Sequence, residues 1–272
     1  QMQLLIWIAR VFKKTDHVNY YRNRLSEIRP KVHKAFYDVE KQQYVLDDQA
    51  YYVMPLMTGV TPEALRPLLL KKLEENILEK NAGHLDTGML GTYFMMEYLR
   101  DIGRSDLVYT MFNQTTYPGW GYMLQQDATT LWEQWNGYWS QVHSCFTSPD
   151  NWLYQGLAGI QADASAPGFK NAIIRPDIVG DVTWVKSHYD SNYGRFVSNW
   201  QFEGDRLTMQ VTVPSNATAT VYVPANAMDE VSESGCPPDQ APGVEFLRIE
   251  DGRVVLRVVA GVYSFEAQER AK

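Results

Sequence analysis

The feature that most limits what this chain can fold into is a change of hydrophobic period close to Ala166. Before it, apolar residues recur every three to four positions, the spacing of helices with one buried face. After it they alternate, as in Leu207-Thr208-Met209-Gln210-Val211-Thr212-Val213, the spacing of half-buried strands. A chain that changes period once, and late, predicts a helical part followed by a β part. The expected division is residues 1–164 and 165–272.

In the first part the pattern predicts about seven helices joined by short connections, with no strand before residue 165. Helices are expected over Leu4–Phe12, from Asp16 as a cap through Ile28 with Val32, Ala35 and Phe36 continuing the apolar face, and over Gln49–Met57, Leu68–Leu78, Met89–Ile102, Asp106–Asn113 and Trp152–Ile160. Pro30 is expected to kink or divide the second of these, and Pro67 to break the first turn of the fourth. Thr61-Pro62-Glu63 and Ser148-Pro149-Asp150 are start signals, each with a hydroxyl cap and a proline in the first turn. Tyr37–Asp48 reads as polar and irregular. Paired helices of this length suggest part of an α/α toroid, with a plain helical bundle as the other arrangement that periodicity allows.

The second part predicts about eight short strands. They are Ala172–Arg175, Val182–His188, Arg195–Phe202, Arg206–Val213, Ala219–Tyr222, Glu245–Ile249, Val254–Val259 and Gly261–Glu266. Turn residues such as Glu203-Gly204-Asp205 and Asp251-Gly252 separate them, and the expected form is an antiparallel sandwich.

Composition narrows the partners. The net charge of −7 argues against a nucleic-acid backbone as ligand, which calls for a basic patch. No apolar run reaches the roughly 20 residues of a membrane span. Cys145 and Cys236 lie in differently patterned regions and are expected to be free thiols. No metal-ligand spacing, Gly-rich phosphate loop or G-x-S-x-G turn is present, so neither a metal nor a cofactor is expected. The chain opens directly on an amphipathic segment, with no starting methionine and no signal-peptide pattern. It reads as the C-terminal part of something longer, so its compartment is left open.

Aromatic residues make up 13% of the chain, and five of its eight tryptophans fall between Trp120 and Trp152. Within that segment Trp132-Glu133-Gln134-Trp135 sets one carboxylate between two indoles. Indole faces stack on the C–H faces of sugar rings, and a carboxylate can move a proton. Glu133 therefore reads either as an acid/base group of a sugar site or as a structural, paired glutamate beside two core tryptophans. His143 reads as a donor to a sugar hydroxyl, as a partner of Glu133, or as a structural hydrogen-bonding group. His84 and Asp86, just before a helix, are open to substrate binding and to capping alike.

These residues also carry a resemblance. Gly119-Trp120-Gly121-Tyr122 followed by Ala128-Thr129-Thr130-Leu131-Trp132-Glu133-Gln134-Trp135-Asn136 resembles the G-A-T-T-I-W-E-R-W-D block of bacterial α-L-rhamnosidases, glycoside hydrolase family 78. Thr87-Gly88-Met89-Leu90-Gly91-Thr92 is similar to that family's T-G-F-x-G-T turn. His143 with Trp152-Leu153-Tyr154-Gln155-Gly156-Leu157-Ala158-Gly159-Ile160, and Pro167-Gly168-Phe169-Lys170, resemble later stretches of it. The resemblance implies part of an (α/α)6 barrel followed by a C-terminal β-sandwich. It also implies an inverting hydrolase that releases terminal α-L-rhamnose from a glycoside or polysaccharide. On that basis Glu133 is the general base, His143 contacts the sugar, and Trp132 and Trp135 shape the subsite. The family's general acid lies in an earlier acidic loop, N-terminal to this chain, so the missing N-terminal part of the protein becomes an expected partner and these residues alone are expected to be inactive. Asp127, Gln134 and Asn136 stand where the family has Gly, Arg and Asp, which bears on the sugar and linkage. Two other readings are a non-catalytic carbohydrate-binding or structural protein and another α/α-toroid glycosidase or lyase. The acidic charge gives a lyase for acidic sugars no support.

Overall fold

The structure is a computed structural model that describes residues 1–268. The chain forms two compact units, the first made of Gln1–Ile102 and Thr110–Phe146, the second of Gly103–Tyr109 and the chain from Thr147 onward.

The first unit is helical. Helix α1 (Met2–Val11) is followed by α2 (Thr15–Phe36), a hairpin of two-residue strands β1 (Tyr37–Asp38) and β2 (Gln43–Tyr44), α3 (Gln49–Thr58), α4 (Arg66–Glu75) and α5 (Met89–Asp101). Helix α6 (Ser105–Phe112), which up to Tyr109 belongs to the second unit, and α7 (Trp120–Gln125) follow. Helix α2 runs unbroken through Pro30 instead of dividing there. Pro30 is exposed, so the carbonyl left without an N–H partner one turn earlier can be met by water. Asp16 lies inside the first turn of α2 rather than at its cap, and its charge there complements the helix dipole. Pro67 does not break α4 but sits in its first turn, where no N–H is needed. A short 3₁₀ turn, Glu63–Leu65, precedes α4, and a π turn, Asn76–Lys80, follows it. The β1–β2 hairpin and α7 were not expected from the sequence pattern.

Capping of α3 comes from far away in sequence. Asp48, at its N-cap, makes no side-chain cap bond. Instead the Gln49 N–H donates to both Asp86 carboxylate oxygens, at 3.0 and 3.2 Å. The Gln49 side chain donates to the His84 carbonyl at 2.8 Å and accepts from the Asp86 N–H at 3.0 Å. His84 also bonds Thr116 Oγ1 at 2.7 Å. Of the two roles open to the His84/Asp86 pair, the contacts seen are those of a helix cap.

The second unit is a sandwich of two five-stranded sheets. After α8 (Ser148–Trp152) and a π turn, Leu153–Leu157, come β3 (Ile160–Ala162), β4 (Asn171–Ile174), β5 (Trp184–Ser191), β6 (Gly194–Glu203), β7 (Arg206–Val213) and β8 (Thr218–Pro224). Then follow β9 (Val231–Glu233), β10 (Val244–Glu250), β11 (Arg253–Val258) and β12 (Gly261–Gln268). One sheet has the order β10-β11-β8-β4-β3, the other β5-β6-β7-β12-β9. All pairings are antiparallel except β4 with β8, which is parallel. Each strand expected from alternation is present. The additional ones are β9 and β3, and β3 joins the sandwich although it begins at the last residue of an expected helix, before residue 165.

Alternation sets the core. Leu207, Met209, Val211 and Val213 of β7 point inward with Ala219, Val221 and Val223 of β8, and Phe196, Trp200 and Phe265 fill the space between the sheets. The entry into the sandwich is stitched by Ser198, whose hydroxyl donates to the Ala158 carbonyl at 2.6 Å, and by Trp200 Nε1, which donates to the Leu157 carbonyl at 2.9 Å. Gly159, at φ +74, lies so close to Arg175 that a Cβ would meet its carbonyl carbon at 2.2 Å. Only glycine allows that approach.

Candidate active site

The site is built on one loop of the first unit. Between Leu131 and His143 the backbone doubles back on itself: the Glu133 N–H donates to the Ser140 carbonyl at 2.8 Å, and the His143 N–H to the Leu131 carbonyl at 2.9 Å. Thr130 closes the base of the loop with a hydroxyl bond to the Gln141 carbonyl. At the tip, the Gly137 N–H donates to the Gln134 carbonyl at 3.0 Å, with Gly137 at φ +71. A Cβ at Gly137 would stand 3.0 Å from two ring carbons of Trp132. The turn thus depends on glycine for its backbone sign and for its closeness to the indole.

Burial divides the residues of the loop between inside and outside. Trp132 and Trp135 are 6% and 8% exposed. Trp135 stacks on Phe146, with ring centroids 3.9 Å apart, and meets Trp120 edge-on at 5.0 Å. Trp120 Nε1 in turn donates to the Phe146 carbonyl at 2.9 Å. These indoles form the floor on which the loop rests. Their faces are turned to protein, so at most an edge is left for a sugar.

Glu133 sits between the two buried indoles and points the other way. Its side chain is 40% exposed and that of His143 42%, and Glu133 Oε2 lies 3.7 Å from His143 Nδ1. At that separation the pair interacts through charge when the imidazole is protonated, not through a direct hydrogen bond. The Ser140 N–H donates to the same carboxylate oxygen at 3.2 Å, which fixes the rotamer. Cys145 is buried close by, and its thiol is pushed above the ordinary value, first by burial and then by the Glu133 carboxylate. The arrangement offers a half-exposed carboxylate able to take a proton from water, beside an imidazole able to contact a hydroxyl. Sequence reasoning gave no role to Tyr138 and Trp139, which are the exposed aromatic residues of this loop and pack edge-on at 5.1 Å. Trp139 counted toward the tryptophan density, but only the turn shows which indoles face outward.

Among the described residues no group of three or more His, Cys, Asp or Glu side chains is placed to hold a metal ion. No helix among them is long and apolar enough to cross a membrane.

The chain is similar to known proteins in both its helical and its β part. Residues 1–157 match the model of the bacterial alpha-L-rhamnosidase 6 hairpin glycosidase domain, and residues 159–236 that of the bacterial alpha-L-rhamnosidase C-terminal domain. An alpha-L-rhamnosidase of Streptomyces avermitilis is 32% identical over 230 residues, covering 80% of this chain and 21% of the relative. The crystal structure of a Streptomyces avermitilis alpha-L-rhamnosidase complexed with L-rhamnose superposes with a TM-score of 0.85 at 28% identity, over 98% of this chain and 26% of that one. The alpha-L-rhamnosidase of Dictyoglumus thermophilum gives the same TM-score at 29% identity, over 98% of this chain and 31% of that one. The chain therefore spans between about a fifth and a third of the length of these relatives. A helical glycosidase-type part joined to a β-sandwich, each matched by its own family model, makes the chain a member of the bacterial α-L-rhamnosidase family.

Proposed function

We propose that the protein to which this chain belongs is an inverting α-L-rhamnosidase, and that Glu133 is its general base. The observation that carries the proposal is the position of Glu133: half-exposed, held by the Ser140 N–H, 3.7 Å from His143, and set along the loop between buried indoles. In an inverting hydrolase one carboxyl protonates the leaving oxygen while another removes a proton from water on the opposite face of the sugar, the two standing about 6.5–9.5 Å apart. Glu133 takes the second role, and its Oε2 is already oriented by one donor. His143 contacts a sugar hydroxyl. Trp132 and Trp135 shape the subsite from beneath by holding the loop in place. The general acid is assigned to residues outside this chain, in keeping with the much greater length of the relatives and with the family resemblance. The substrate is a glycoside or polysaccharide with a terminal α-L-rhamnose.

The test is Glu133→Gln in the complete enzyme. Turnover of an aryl α-L-rhamnoside is expected to fall by roughly 10²–10⁴-fold while rhamnose binding persists, because the amide keeps the shape and the Ser140 contact but loses the basicity. Near wild-type turnover would remove Glu133 from the mechanism. The 272 residues alone are expected to give no turnover, and hydrolysis by them would place the acid within this chain.

A further inference from the structure

A concave site lies within the β unit, lined by residues to which no role in the proposed hydrolysis is given. A cavity of about 600 Å³ opens where α8 and the π turn cross the edge strands β3 and β5, one from each sheet. This volume is within the roughly 300–1,000 Å³ of small-molecule sites. Its lining combines aromatic rings with hydrogen-bonding groups: Tyr154, Phe169 and Tyr189 with Asp150, Asn151 and His188.

The rings form a supported platform. Tyr189 stacks on Phe169 at 4.4 Å with an interplanar angle of 27°, and Phe169 rests on the core residue Phe196 at 5.9 Å. Phe169 reaches that position with φ +65, a backbone region that bulky side chains seldom enter. Such conformations persist only where the surroundings hold them, and they gather at binding sites. Tyr189 and Tyr154 are both exposed at the cavity.

The charges select the ligand class. Asp190, also at the cavity, is held by the Arg195 guanidinium at 2.7 and 3.0 Å and is thereby neutralised. Asp150 remains as a carboxylate, and among the described lining residues none is a lysine or arginine. That lining disfavours phosphates and acidic sugars. Aromatic faces with carboxylate, amide and imidazole groups at their rim suit a neutral polyhydroxylated ring, which presents C–H faces and hydroxyl edges.

We infer that this cavity is a non-catalytic binding site for a neutral saccharide, with Tyr189 and Tyr154 as its contact faces. The inference does not depend on the role of Glu133. In the complete protein the His188 imidazole is followed by ¹⁵N-histidine NMR, its resonance assigned as the one lost in His188→Gln. L-rhamnose, D-glucose, D-galactose and D-galacturonate are titrated in turn to about 100 mM, a range that reaches millimolar dissociation constants. At least one neutral sugar is expected to shift the His188 resonance saturably. Tyr189→Ala is expected to weaken the effect about tenfold, and Glu133→Gln to leave it unchanged. Tyr154→Ala supplies the same test should Tyr189→Ala disturb the β5 edge. The inference is overturned if no neutral sugar moves His188, if galacturonate moves it as strongly, or if folded tyrosine variants respond like the parent. None of these outcomes touches the Glu133→Gln turnover test, so the two proposals fail separately.

Discussion

Glu133 and the indoles beside it divide their labour by direction. The tryptophans that mark the site in sequence are the residues that pack inward, while Glu133 and Gln134 between them face out. In the role proposed for Glu133, buried Trp132 and Trp135 contribute through rigidity: a carboxylate that must meet a water in one orientation is best carried by a loop that cannot tilt. Gly137 is the residue on which that rigidity turns. Its φ of +71 and the 3.0 Å approach to Trp132 leave an alanine both strained and crowded. Gly137→Ala is expected to destabilise the protein by on the order of 1 kcal/mol or more, read as a lower midpoint in urea unfolding. Turnover should fall as well, since Trp132 must shift and Glu133 adjoins it. A Gly137→Ala variant with parental stability and turnover would show that the loop adapts without moving its carboxylate.

Among the elements, helix α3 shows how a start signal can lie outside its own segment. Nothing at Asp48 caps it, and the donor at its first residue is met by Asp86 in a reciprocal ring with Gln49. The geometry resembles a capping box closed across the fold instead of within one turn. Asp86→Ala is expected to destabilise the protein by about 1 kcal/mol, the usual loss for a removed N-cap. Asp86→Asn retains an acceptor and should lose less. Equal losses for the two, measured by thermal unfolding, would mean that the negative charge rather than the hydrogen bond matters at this helix end. The strands of the sandwich behave differently. Their pattern of alternation was legible because each carries its own inside and outside, whereas α7 was not legible because six residues hold too little period to read. The short strand β3 was missed for the same reason, with the added one that helical spacing continued up to its edge.

Over the whole molecule, sequence order and compact unit do not coincide. Gly103–Tyr109 belongs with the β unit, drawn there by Ser105, whose hydroxyl donates to Asp177 at 2.6 Å and accepts from Trp152 Nε1 at 3.0 Å. The two cysteines give each unit its own reporter. Cys236 is exposed in the β unit, while Cys145 is buried in the helical one with its thiol held protonated by burial and by Glu133. A disulfide-exchange reagent at neutral pH is expected to titrate one thiol quickly in the native protein and the second only on unfolding. Two equally fast thiols would indicate that the loop carrying Glu133 opens readily in the native state.

The amino-acid sequence alone determined the two periods, hence the order of a helical part and a sandwich, because hydrophobic spacing is a local property that each element carries by itself. It also singled out Glu133 and His143, through an ordered block of residue types dense enough to be recognised. Only the tertiary structure decided that Trp132 and Trp135 are buried while Glu133 between them stays half-exposed, that Asp86 caps a helix beginning at Gln49, and that Ser105 joins the β unit. Each of these depends on hydrogen bonds or ring contacts between residues that come together only on folding, and periodicity holds no record of such pairings.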